Sequence, residues 1–364
     1  MSTESNDRRD SLRVFVSYDR SQPDLLERVV RGMRRAGMAP VWDADIRAGT
    51  VFTKEIQKRI ATAHAVVPLL TRSSIDKPWI NQEIGFAAGI NVPVVPLTFG
   101  PVPRQMIADL QGVPVRRDLS DLGEALKRVR AGVLASTTQP ASNVEFAFQI
   151  ADFSEDRTKC LVELARDAPR PARIRQRAIF SSFSLPDALP SDSVWDIIEM
   201  ERQRSDNFRA LLRAERRILE EHARSAGCSL LLRPFLDYKP VGARVHRQQL
   251  ELLSDFLQSM PVSKVRVAIA DTSEHGNLTL VGDWFGARAL PPRPASELRD
   301  TLLSQHGPTV LRWLRQFDDD LNAAFRVSKV DPEKSRDHAL RRIERRLKEL
   351  RVAEQADAGP AAQG

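Results

Sequence analysis

Glu83 stands four positions after Trp79 in the segment Lys77-Pro78-Trp79-Ile80-Asn81-Gln82-Glu83-Ile84. On a helix that spacing puts a carboxylate and an indole on one face, a turn apart, with the indole as an aromatic wall. A carboxylate held in this way can stabilise a positive charge that develops in a reaction. Two other segments carry side chains of the same kind. One is Val14-Phe15-Val16-Ser17-Tyr18-Asp19-Arg20, and the other is the loop from Asp43 to Gly49, which holds Asp43, Asp45 and Arg47.

The elements around these segments read as alternating strand and helix, the pattern of a parallel α/β domain. Leu12 to Ser17 is a short apolar strand, and Leu25 to Ala36 has helical spacing and stops at Gly37. Met38 to Trp42 is a second strand, Phe52 to Ala63 a helix, and Ala65 to Leu70 a third strand, whose internal Pro68 argues for an edge or a strand end. Trp79 to Gly89 reads as a helix and Val92 to Leu97 as a fourth strand; Arg104 to Leu110, the strand Val113 to Arg116 and Leu119 to Leu134 follow. This is an open, doubly wound, flavodoxin-like parallel sheet of about five strands, whose crevice lies at the carboxyl ends of the strands. All three segments converge on that crevice. Convergence argues for a site without naming its ligand.

Ser136 to Asn143 (STTQPASN) has the composition of a linker. Beyond it, residues 144–327 are expected to form a second α/β domain with a sensor or assembly role. Strands are expected at Val144 to Ile150, Ala178 to Phe183, Ser229 to Leu232, Val265 to Ala270 and Leu278 to Val281. Helices are expected at Ser193 to Ala226, Val245 to Met260, Glu297 to Gln305 and Thr309 to Phe325. Asp331-Pro332-Glu333 opens a C-terminal amphipathic helix over 331–353, with Leu340, Ile343, Leu347 and Leu350 at coiled-coil spacing. Two heptads fit an oligomerisation helix and a helix packed on its own domain equally well. Residues 354–364 read as a disordered tail.

Composition removes several classes. The 364 residues are 42% hydrophobic and 28% charged, the balance of a globular chain of about two domains. No apolar run reaches the roughly 20 residues of a membrane span, and the polar start MSTESNDRRD is not a secretory signal. Cys160 and Cys228 give neither a disulfide framework nor a metal spacing, which fits a cytoplasmic location. The six histidines show no metal-ligand pairing, and no Gly-rich phosphate loop is present. A net charge of +7 would suit an acidic polymer, but 45 of the 55 basic residues are arginines largely interleaved with Glu and Asp on helical faces. Nucleic-acid binding is therefore not expected. In the second domain, His275-Gly276-Asn277 with Asp283 departs from a phospholipase D-like motif at two positions and reads as a hairpin and turn. Arg233, Tyr238, Arg244, Arg247 and Trp284 could line a pocket for a small nucleotide, although such scattered residues are more often surface and core.

The order of the three N-terminal segments resembles that of the Toll/interleukin-1 receptor (TIR) domain family, over residues 12–135. A hydrophobic strand ends in Ser-Tyr, an acidic loop closes on Ala48-Gly49, and a Trp is followed four positions later by Glu. Ile80 and Ile84 are mild departures from the last motif. The resemblance is to NAD-cleaving prokaryotic effectors of this family, and it implies that Glu83 is the catalytic glutamate. It implies further that NAD+ is a substrate, with no cofactor and no metal, and that Tyr18, Asp19, Arg20, Asp45, Arg47 and Trp79 contact it. Arg20 is the phosphate contact expected from its chemistry.

The same resemblance implies an NAD+ glycohydrolase, with ADP-ribose cyclisation as a variant. It would serve as a defence effector switched on by TIR self-association or by the C-terminal domain. A non-catalytic TIR adaptor and a nucleoside deoxyribosyl-transferring enzyme are the alternatives. Structural readings stand beside each residue: Glu83 complementing a helix dipole from the first turn, Trp79 in the core, Asp19 and Arg20 paired on the surface, and Asp43 as a turn former.

Overall fold

A computed structural model describes residues 12–42, 54–100, 111–136, 149–151, 154–178, 181–184, 206–232, 243–270, 276–290 and 300–357. The chain forms two compact units, one of residues 1–148 with 304–312 and one of 149–303 with 313–364. Among the described residues no helix is long and apolar enough to cross a membrane.

The first unit runs β1 (Leu12–Ser17), α1 (Pro23–Arg35), β2 (Met38–Trp42), α2 (Lys54–Thr62), β3 (Ala65–Leu70), α3 (Pro78–Gly89), β4 (Leu97–Thr98), β5 (Val113–Pro114) and α4 (Leu122–Ser136). The sheet order is β2-β1-β3-β4-β5, and every pairing is parallel. This is the doubly wound architecture. The chain moves from β1 outward to β2, then back past β1 to β3. Right-handed crossovers therefore put α1 on one face and α2 with α3 on the other. Packing agrees: α1 lies against α4, and α2 against α3. Helix α1 buries Leu26, Val29, Val30 and Met33 at helical spacing. It is stopped by Gly37, whose φ of +78° suits a residue without a Cβ.

Pro68 does not mark an edge. Strand β3 is the central strand and is buried along its whole length. The Val66 N–H donates to Pro93 O at 2.8 Å, so two residues on, Pro68 turns its donor-less nitrogen to the same side. On that side the ladder breaks between the Val66–Val94 bridge and the Leu69–Leu97 pair. The fourth strand is accordingly confined to Leu97–Thr98, not Val92 to Leu97, because Pro93 and Pro96 cannot donate to a ladder. The expected element Arg104 to Leu110 lies outside the described residues.

The second unit contains β6 (Gln149–Ala151), α5 (Ser154–Arg166), β7 (Ile174–Ala178), α6 (Asp206–Ala226), β8 (Cys228–Leu232), α7 (Ala243–Ser259), β9 (Val265–Ile269), β10 (Leu278–Val281), β11 (Phe285–Ala289), β12 (Thr301–Ser304), α8 (Gly307–Ser328, begun in the first unit) and α9 (Ser335–Asp357). Its seven strands are ordered β6-β12-β11-β10-β7-β8-β9. Strands β7, β8 and β9 are parallel, and β10 and β11 form an antiparallel hairpin. Gly286 in β11 lets Trp313 lie on the sheet: a Cβ there would sit 2.6 Å from the Trp313 ring and 2.7 Å from Leu280.

Two expectations fail here. Ala178 to Phe183 is not a strand. Strand β7 ends at Ala178, and Ser182–Ser184 form a 3-10 turn. Serine hydroxyls take over the backbone there: Ser184 Oγ donates to Ser181 O at 2.6 Å, and Ser181 Oγ accepts from the Phe183 N–H at 3.3 Å. The helix expected at Glu297 to Gln305 is instead strand β12, fully buried. Helix α9 buries Ala339, Ile343, Leu347 and Leu350 in the unit's own core against α7 and β9. Trp284 Nε1 donates to Leu164 O at 3.2 Å, and Arg247 bonds Glu251 at 3.0 Å, so both serve packing within the unit. His275, Arg233 and Tyr238 lie outside the described residues.

Candidate active site

The carboxyl ends of β1 and β3 meet where the three segments were expected to converge. The β3–α3 connection is built around Ser74, which is fully buried. Its hydroxyl donates to Leu69 O and accepts the Thr71 N–H, each at 2.7 Å, and its carbonyl accepts the Lys77 N–H at 3.1 Å. These bonds fold residues 71–77 into a fixed platform that delivers the chain to Pro78, the first residue of α3. Proline at that position loses no helical hydrogen bond.

Glu83 lies in the second turn of α3, whose first turn holds no acidic residue. A role as a first-turn dipole partner is therefore ruled out. Its neighbours on the buried face are Ile80, Ile84 and Ala87, and Glu83 itself is 6% exposed. A core-facing position that would ordinarily hold an apolar side chain holds a carboxylate.

Trp79 is 38% exposed, so it is not core; it stands at the rim of this region. Lys77 places its ammonium 5.2 Å from the centre of the Trp79 ring. Asp19, just past β1, is buried and not a surface partner. It shapes the turn into α1: its carboxylate accepts the Ser21 N–H at 3.1 Å and its carbonyl accepts that of Gln22 at 2.9 Å. Burial pushes its pKa up, but the Ser73 hydroxyl, the Ser21 donors and the charge of Lys77 outweigh burial and hold it below 3.8. Thus Asp19, Ser73, Lys77 and Trp79 form a connected series leading to the helix that carries Glu83. Tyr18 is half-buried and Arg20 exposed in the same β1–α1 connection.

Ser17 ends β1 on the same face as Phe15, which packs with α2 and α3 residues. Its hydroxyl is buried and, among the described residues, has no hydrogen-bond partner. Such groups are rare and ask for an explanation. A polar ligand atom at the crevice would supply the partner.

Residues 14–130 match the family model described as TIR domain. Residues 14–130 form a TIR domain.

Among solved structures, the chain is similar to the TIR domains of the activated Roq1 resistosome directly recognizing the pathogen effector XopQ. Identity is 13% and the TM-score 0.28, over 34% of this chain and 99% of that one. It is also similar to Marinitoga piezophila Argonaute in complex with 5′ OH guide RNA and target DNA. There identity is 7% and the TM-score 0.18, over 85% of this chain and 49% of that one. No curated protein matches the chain. The family model and the strand order carry the assignment.

In this TIR domain, Asp43, Asp45 and Arg47 lie outside the described residues. Sequence reasoning missed Ser17 as an unsatisfied hydroxyl, Ser74 as the keystone of the platform, and Ser73 and Lys77 as partners of Asp19. Nothing local marks a serine as buried. Among the described residues no group of three or more His, Cys, Asp or Glu is placed to hold a metal.

Proposed function

We propose that the TIR domain cleaves the bond between nicotinamide and ribose in NAD+, with Glu83 as the catalytic carboxylate. The observation that carries this reading is the burial of Glu83 on the core face of α3, in its second turn. A buried carboxylate beside a crevice is a candidate for chemistry on a ligand held there.

Nicotinamide in NAD+ is already a cation, so it leaves without a general acid. The C1′–N bond breaks, its electron pair goes to the nicotinamide nitrogen, and positive charge develops on the ribose. Glu83 stabilises that oxocarbenium-like ribose or holds its hydroxyls, a one-carboxylate form of glycosidase logic. Water then adds to C1′ and loses a proton, giving ADP-ribose; attack by an adenine nitrogen would give a cyclic product. Trp79 supplies an aromatic wall and Tyr18 and Asp19 border the nucleotide. Arg20 and Arg47 take the phosphates, and Asp45 is a further contact to the substrate, as the family resemblance implies. Assembly of TIR domains or engagement of the second unit switches the activity on, in a defence role within the cytoplasm.

The test presents purified protein first with NAD+ and then with deoxynucleosides, in each case beside Glu83→Gln. Nicotinamide release by the wild type that is lost in Glu83→Gln supports the reading. Release unchanged in the variant overturns the site, base release from deoxynucleosides alone overturns the substrate, and no release in any assembled state leaves a scaffold.

A further inference from the structure

A cleft of about 390 Å³ opens on the TIR domain where the first turn of α1 faces the ends of β3, β4 and β5. Three arginines line it: Arg28 from α1, Arg72 from the β3–α3 platform and Arg117 from beyond β5. No two of them are near in sequence; the parallel sheet brings them together at its carboxyl edge. The walls come from α1 and the strand ends on the side of the sheet that α1 shares with α4. Glu83 belongs to the opposite helical layer.

The neighbouring carboxylates are already engaged. Glu27 pairs with Arg31, Asp118 accepts the Ser120 N–H at 3.1 Å and its hydroxyl at 2.8 Å, and Asp121 accepts the Arg116 N–H at 2.8 Å. Asp24 is the acidic residue in the lining, against three guanidinium groups. Helix α1 adds to the positive potential. Its N-cap residue Gln22 lines the cleft and makes no side-chain capping bond. The rest of the lining includes the apolar Leu25, Phe99 and Leu119, a surface suited to a flat ring. Leu119 holds a φ of 62°, a conformation a leucine rarely adopts, so the β5–α4 turn is held in one shape beside Arg117.

We propose that this cleft is a second ligand site of the TIR domain, taking a nucleotide that carries two or more phosphates. Guanidinium forks of Arg28, Arg72 and Arg117 grip the phosphate oxygens. Phe99 and Leu119 receive the base. The site shares the β3–α3 platform with the Glu83 region but none of the residues assigned there to substrate, and would report nucleotide supply to the domain that carries it.

The experiment uses the full chain and fluorescent N-methylanthraniloyl-ATP, with inorganic tripolyphosphate as competitor. Saturable binding is expected, weakened at least about tenfold in Arg72→Glu with Arg117→Glu, as for loss of charge-assisted bonds. Glu83→Gln binds as the wild type does, whether or not NAD+ cleavage survives, which keeps the two proposals separate. Phe99→Ala weakens the nucleotide and leaves tripolyphosphate competition unchanged. All the altered arginines are exposed; should the double reversal fail to fold, Arg28→Gln is read in its place. Absence of binding, loss of binding in Glu83→Gln, or indifference to the arginine changes overturns the site. Equal binding by Phe99→Ala overturns the base contact.

Discussion

Replacing Ser74 by alanine should loosen the platform beneath the candidate active site without touching any group proposed to meet substrate. The Ser74 side chain is fully buried, donates to Leu69 O and accepts from the Thr71 N–H, each at 2.7 Å. Alanine leaves that N–H inside the protein with no acceptor, a loss of about 1–3 kcal/mol for one stranded donor. The second broken bond adds about 1 kcal/mol, so roughly 2–4 kcal/mol is expected in all. For a unit of this size the melting midpoint should fall by roughly 6–15 °C. Differential scanning calorimetry reads the shift. Ser73→Ala is the comparison: its exposed hydroxyl bonds Asp19 and Thr71 but caps no buried backbone group, so its melt should fall by less, about 1 kcal/mol. Activity should separate the two effects, because displaced Lys77 and Trp79 raise KM and lower kcat together in Ser74→Ala. A Ser74→Ala protein melting within about a degree of wild type would show that the hydroxyl does not hold the platform.

Burial, reinforced by the charge of Arg312, lowers the pKa of His306 from 6.5 to about 4, so the fold holds it neutral. The unfolded chain then binds more protons between those values, and stability is full above pH 6.5 and falls as pH drops toward 4. The loss reaches about 3 kcal/mol, and His306→Gln should flatten that limb of the melting-temperature profile. Asp19 has the opposite sense of charge: its depressed pKa gives stability that is present above 3.8 and lost as pH falls through the folded value. Lys77→Met should move the Asp19 carboxyl titration upward, as followed by carbon NMR. Gly286→Ala should destabilise the second unit by about 1–3 kcal/mol, because its Cβ meets the buried Trp313 ring, and denaturant unfolding measures it.

Much of the first unit is legible in sequence because its strands are short apolar runs and its helices keep one buried stripe. Leu12–Ser17 and Pro23–Arg35 carry both signals clearly. Legibility fails where tertiary partners decide the outcome. Pro68 sits in a central strand because the neighbour on its donor-less side is itself interrupted by Pro93 and Pro96. In Thr301–Ser304 both faces are buried, so Leu302 and Leu303 show neither helical nor alternating spacing. At the candidate site, residue type and spacing single out Glu83, Trp79 and Asp19, which lie along one strand end and one helix. Ser17, Ser73 and Ser74 could not be read, since a hydroxyl takes its role from what surrounds it. The arginine cleft left no local signal: Arg28, Arg72 and Arg117 meet only after the sheet is wound, and in sequence they merge with the other arginines.

The central claim is that a buried carboxylate on α3 does chemistry on NAD+. Nicotinamide release from NAD+ by the assembled full-length protein, compared with Glu83→Gln of matched melting temperature, tests it most directly. The account predicts release by the wild type and a rate at least about 100-fold lower in the variant, the scale for losing one electrostatic stabiliser of the transition state. Equal rates in the two proteins would contradict it.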